Sequence, residues 1–203
     1  MDTYEVVLKR KMQEISSLFE DKRMVPQVDN ATQAIAEALI NGKKLTAIGN
    51  GGSYANADHF IGELTGRFRY HRKPIAAFSL NGQSGFTAIA NDYGYENSYA
   101  RQITCMLEKG DVLIAYSASG TSPNIVEAAK AAHEKGAIVV GFSGMTGSLK
   151  DISDYPVTVD SVEVQNIEEI HYLLMHIICE MVEDRWVKAC DPNARAKDYV
   201  KKN

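Results

Sequence analysis

The chain has 203 residues, 45% hydrophobic and 24% charged, proportions that suit one sizeable globular α/β domain. A net charge of −4 with no basic run excludes the electrostatic footprint of a nucleic-acid binder. No apolar run approaches a membrane span, and the opening MDTYEVVLKRKMQ lacks a signal-peptide core, so neither membrane nor export is expected.

Residues 1 to about 41 read as helices. Val6, Val7, Leu8, Met12, Ile15, Leu18 and Phe19 recur at helical spacing. Pro26 is expected to break the pattern, with a second helix from about Asn30 to Ile40 stopped by Asn41 and Gly42. Strands are expected at 44–49, 74–80, 111–117, 137–143 and 155–160, with helices at 54–67, about 84–90, 96–107 and 123–135. Such alternation implies an α/β fold: a parallel five-stranded sheet covered on both faces, preceded by N-terminal helices. Ser122 and Pro123 read as N-cap and N1 of the 123–135 helix, and Gly136 as its C′ residue. A long helix from about Val164 to Lys188 closes a single domain of residues 1–190. The polar stretch Asp191 to Asn203 reads as a frayed tail. Cys105, Cys179 and Cys190 show neither zinc-ribbon nor disulfide spacing, which suits a reducing cytoplasm.

Two segments share one design, an apolar strand running into a small-residue turn that opens a helix. They are Lys44 to Ser53 (KLTAIGNGGS) and Asp111 to Pro123 (DVLIAYSASGTSP). A helix N-terminus gathers unpaired N–H groups and partial positive charge, and so holds a phosphate. In the first segment Gly51 and Gly52 admit close backbone approach, and Ser53 reads as the N-cap. An ordinary capped turn explains that loop equally well. In the second, Ser117, Ser119, Thr121 and Ser122 supply four hydroxyls where a cap needs one, which favours a phosphate. Beyond the first turn, His59 and Glu63 stand at i, i+4 on one helix face, which suits either a plain contact or part of a site.

Together these motifs resemble sugar isomerase (SIS) domains of the phosphoheptose isomerase type. The resemblance is carried by Gly49-Asn50-Gly51-Gly52-Ser53, His59-Phe60, Glu63-Leu64-Thr65-Gly66-Arg67 and Ala90-Asn91-Asp92-Tyr93-Gly94. Ser117 to Ser122 and Ile167-Glu168-Glu169-Ile170-His171 complete it. It implies a flavodoxin-like three-layer sandwich, assembled as a homotetramer with sites at subunit interfaces. It further implies interconversion of sedoheptulose 7-phosphate and D-glycero-D-manno-heptose 7-phosphate, a step toward bacterial heptose precursors. By the same resemblance Ser53, Ser117, Ser119 and Ser122 bind phosphate, while Asn50 and Asp92 contact the sugar near Arg67. Glu63 is the catalytic base and His176 the acid. His59, Glu63, Glu168 and His176 hold a divalent metal such as zinc.

Three features, at four positions, depart from the family pattern that the resemblance implies. Glu168 stands for glutamine, Ala118 for threonine, and Gln165-Asn166 for an Asp-Arg pair. Ala118 retains its N–H for phosphate, and Gln165 removes an acidic sugar contact. On a straight helix Glu168 and His176 lie about 12 Å apart and roughly 80° around, so one shared ion requires a bent helix or different subunits. Spacing alone would pair Glu168 with His171. Two other readings stay open: a non-catalytic SIS protein resembling factors that bind the bacterial replication initiator, and an isomerase or sensor of another sugar phosphate.

Overall fold

The computed structural model describes residues 3–80 and 82–196. Two helices open the chain, α1 (Tyr4–Phe19) and α2 (Met24–Ile40). Pro26 does not break the second. It sits in the first turn of α2, where a backbone N–H would lack an intrahelical partner anyway. Gly42, at φ 76°, ends the helix as expected.

The alternating part runs β1 (Leu45–Ile48), α3 (Gly51–Thr65), β2 (Tyr70–His71), β3 (Ala77–Ser79), α4 (Gln83–Tyr93) and α5 (Ala100–Met106). It continues through β4 (Val112–Ser117), α6 (Pro123–Glu134), β5 (Ile138–Gly144), α7 (Leu149–Ile152), β6 (Tyr155–Val159), α8 (Val164–Cys190) and β7 (Arg195–Ala196). The helix expected over 96–107 is divided into a 3-10 turn, Tyr95–Asn97, and α5. Between them Tyr99 turns inward, its buried hydroxyl donating to the Gly49 carbonyl at 2.7 Å.

Five strands form one parallel sheet in the order β3-β1-β4-β5-β6. Every residue of β4 is buried, because helices cover both faces of the sheet. Helices α2, α3 and α8 pack on one face around Ile35, Phe60, Ile170, Leu174 and Ile178. The other face carries α5, α6 and α7 around Ile103, Ile125, Ala128 and Leu149. Helix α1 buries none of its residues; it lies against α8 with Tyr4, Val6 and Met12 exposed.

The tail is not frayed where it is described. β7 pairs antiparallel with β2, and Asp191 Oδ2 accepts the Lys73 N–H at 2.9 Å. Residues 197–203 of the expected tail lie outside the described residues. Among the described residues, no helix is long and apolar enough to cross a membrane.

Candidate active site

From β1 the chain crosses through α3 to β3 on one side; from β4 it crosses through α6 to β5 on the other. The two loops therefore flank a topological switch point, where parallel sheets open a crevice at their strand ends. In the first loop a side chain at Gly49 would meet the Ser53 carbonyl carbon at 2.4 Å, so only glycine allows the turn. The N-cap of α3 is Asn50 rather than Ser53: its backbone is extended and its carbonyl accepts the Tyr54 N–H at 3.2 Å. The Asn50 side chain makes no capping bond, so it leaves the first-turn N–H groups of α3 open. Ser53 is nearly buried in that turn and donates to Glu168 Oε1 at 3.4 Å. A Cβ on Gly52 would approach Glu168 Oε2 at 2.6 Å, so the carboxylate lies against the flank of the first turn of α3.

The second loop has the expected cap. Ser122 precedes Pro123 at the start of α6, and its side chain also makes no capping bond. Ser117 Oγ donates to Ser122 Oγ at 3.1 Å, and Ser119 Oγ accepts the Thr121 N–H at 3.2 Å. Gly120 takes φ 68° with the 146–147 backbone against it, and the Ala118 carbonyl accepts the Gly144 N–H at 2.9 Å. The hydroxyls are thus held together on a braced loop, with Ser119 at its exposed edge.

Farther along α3, the i, i+4 pair is made: His59 Nε2 faces Glu63 Oε1 at 2.9 Å. His176 reaches them from α8, its ring edge-on to His59 at 5.0 Å between centroids. Phe68 stacks on one face of His176, and Tyr172 meets it edge-on. Burial lowers the His176 pKa, the nearby His59 adds to that, and Glu63 opposes it. One potential ligand atom from each of His59, Glu63 and His176 lies within 4.8 Å of the others. Two imidazoles and a carboxylate suit zinc or a similar divalent ion with an open position, so the residues fit a metal.

Within one chain Glu168 stands apart from this trio, as the helix spacing requires unless a second subunit supplies it. It sits two turns earlier on α8, at the α3 N-terminus. Nor does it pair with His171, which is fully buried among Tyr116 and Phe142. Neither His171 ring nitrogen makes a hydrogen bond of ordinary geometry. Burial pulls its pKa down to about 4, against a small opposing effect of the Ser143 backbone. The exposed Arg67 guanidinium lies against His71 at 2.9 Å. Asp92, near the end of α4, is exposed and accepts from the Asn91 side chain at 2.8 Å.

Sequence reasoning overlooked Asn124, Arg72 and Glu183. Asn124 is buried and pairs with Asn50. Arg72 and Glu183 form a buried ion pair beneath the loop that carries Phe68. A polar N2 residue beside a serine-rich turn was the available signal for Asn124; the ion pair left none.

A family model described as SIS domain matches residues 9–144. The chain is 39% identical over 166 residues to a phosphoheptose isomerase of Geotalea daltonii, covering 81% of this chain and 86% of that one. It is equally 39% identical over 164 residues to a probable phosphoheptose isomerase of Thermoplasma acidophilum, covering 80% and 90%. A solved phosphoheptose isomerase from Francisella tularensis superposes with a TM-score of 0.85 at 29% identity, covering 91% of this chain and 100% of that one. One from Neisseria gonorrhoeae gives 0.79 at 32% identity, covering 89% and 96%.

Proposed function

This chain belongs to the SIS domain family, and we propose that it is an aldose–ketose isomerase interconverting sedoheptulose 7-phosphate and D-glycero-D-manno-heptose 7-phosphate. The observation that carries this is the convergence of Glu63, His59 and His176 in a fold whose two strand-end loops present open helix N-termini.

Glu63 takes the proton from the carbon beside the carbonyl and returns it to the neighbouring carbon, by way of an enediol. One carboxylate oxygen faces His59, and the other stays available as the base. His176 is neutral near pH 7, since its pKa is lowered. A neutral imidazole donates its N–H to the carbonyl oxygen and accepts a proton from the adjacent hydroxyl. Phe68 and Tyr172 fix that ring's orientation. His59, Glu63 and His176 would hold the metal, which we take to be zinc; when bound it supplies Lewis-acid polarisation of the sugar oxygens.

Ser117, Ser119, Ser122 and the Ala118 N–H grip the phosphate, with Ser53 and Glu168 beside them, and Asn50, Asp92 and Arg67 serve the sugar. Gly51 and Glu63 lie about 18 Å apart along α3. That span exceeds the reach of a heptose from its first carbon to its phosphorus. That span supports a reading in which the phosphate loops of one copy work with the acid–base group of another, in the homotetramer that the family resemblance implies for this cytoplasmic enzyme. The exposed apolar residues Tyr4, Val6 and Met12 on α1, with Leu173 and Ile177 on α8, supply surface for that assembly. Purified protein should convert sedoheptulose 7-phosphate and leave five- and six-carbon ketose phosphates nearly untouched. No turnover of the seven-carbon substrate would overturn the reading.

A further inference from the structure

Asn124 is the second residue of α6 and is fully buried. A buried carboxamide is costly unless hydrogen-bonded. Asn124 directs both its groups at one residue across the crevice. Its Nδ2 donates to Asn50 Oδ1 at 2.8 Å, and its Oδ1 accepts from Asn50 Nδ2 at 2.9 Å. The two amides close a ring that ties the start of α3 to the start of α6.

Asn50 Oδ1 also accepts the Tyr95 hydroxyl at 2.9 Å. A carboxamide offers two acceptor sites and two N–H donors. Both acceptor sites of Asn50 are thus taken and one donor is used. The remaining N–H is the one group of that side chain without a partner among the described residues. The pairing therefore turns a side chain that can give or receive into one that only gives.

The same pairing matters for the helix beneath. An asparagine at an N-cap ordinarily folds its oxygen onto the N–H of the second or third helical residue. Here Asn50 makes no such bond, because Asn124 and Tyr95 hold its oxygen elsewhere. The first-turn donors of α3 stay open to a ligand.

We propose that Asn124 is a positioning residue for the sugar phosphate. It acts through Asn50, keeping the α3 N-terminus uncapped and presenting a single N–H to an acceptor oxygen of the ligand. This rests on the site reading above, in which Asn50 faces the sugar.

The test is a double-mutant cycle of Asn50→Ala, Asn124→Ala and the two combined. It is read as kcat/KM on sedoheptulose 7-phosphate and as the calorimetric Kd of the same compound, with unfolding midpoints alongside. Each single variant should weaken both quantities by about tenfold. The double variant should be no worse than Asn50→Ala within about twofold, because Asn124 has nothing left to position. Losses that multiply in Kd and kcat/KM would overturn the proposal, since Asn124 would then act on the ligand by a route that does not run through Asn50. If Asn124→Ala does not fold, Asn124→Asp keeps the volume while removing the donor, and the cycle runs with it in the same way. The Kd arm needs no turnover, so an inactive wild-type protein would defeat the isomerase reading while the cycle still decides the role of Asn124.

Discussion

Arg72 Nη2 donates to the main-chain carbonyl of Glu63 at 2.8 Å while its Nε pairs with Glu183 Oε1 at 2.6 Å. The Arg72 side chain is 0% exposed and that of Glu183 1%. Glu183 also accepts the Phe68 and Arg69 N–H groups. One buried pair thus fixes the end of α3 that carries Glu63 and the loop that carries Phe68. Removing one partner of such a pair strands the other charge. Glu183→Ala should lose roughly 3–5 kcal/mol in urea unfolding. Arg72→Lys, which keeps the charge but not the fork, should lower kcat more than it raises KM.

Glu63→Gln keeps the size of the side chain but removes its basicity. Turnover of sedoheptulose 7-phosphate should fall by about a thousandfold or more, while calorimetric binding stays within a few-fold of wild type. Near-normal turnover would remove Glu63 from the role of base.

Removal of metal is the third check. Elemental analysis of purified protein should find one zinc per chain, and His59→Ala should lose it. Because an ion binding only the folded chain stabilises it, a chelator should lower the unfolding midpoint of wild type and leave that of His59→Ala unmoved.

Glu168 sets a negative charge beside the first turn of α3. Glu168→Gln removes that charge from the neighbourhood of the phosphate. Inorganic phosphate should then bind about two- to fivefold tighter, as read by calorimetry.

His171 makes folding sensitive to acid. Its pKa in the folded chain, about 4, lies below the ordinary 6.5 expected when unfolded. The unfolded chain therefore binds more protons between those values. The stability is full above pH 6.5 and is lost as pH falls toward 4, by about 3 kcal/mol in all. Urea titrations from pH 7 to 4 should show that slope, and His171→Leu should flatten it.

The fold and the serine loops were readable because they rest on local rules. Alternating apolar runs marked β1, β4, β5 and β6, and Pro123 with Gly136 bracketed α6. Pro26 misled because a helix tolerates proline in its first turn, and the sequence did not reveal where that turn lay. β2 and β7 are two residues each, too short for any periodicity. Ser53 read as the cap because serine favours that position, yet Gly51 and Gly52 belong to α3 itself and the cap falls on Asn50. The His59–Glu63 spacing was legible on one helix, whereas the arrival of His176 and the separation of Glu168 depend on how α8 crosses α3. The Asn50–Asn124 pair joins positions 74 residues apart, which no local pattern encodes.

β1 and β4 are hydrogen-bonded neighbours, in register from Leu45 with Val112 to Ile48 with Ala115. Adjacent strands keep a gauge of about 4.8 Å that no side-chain change alters. The two loops proposed to grip the phosphate leave the ends of those strands, so their mutual distance is a constant of the backbone. Substitutions that adapt this scaffold to a longer or shorter ligand therefore fall to the peripheral helices, with the spacing of the two strand-end turns left as it is.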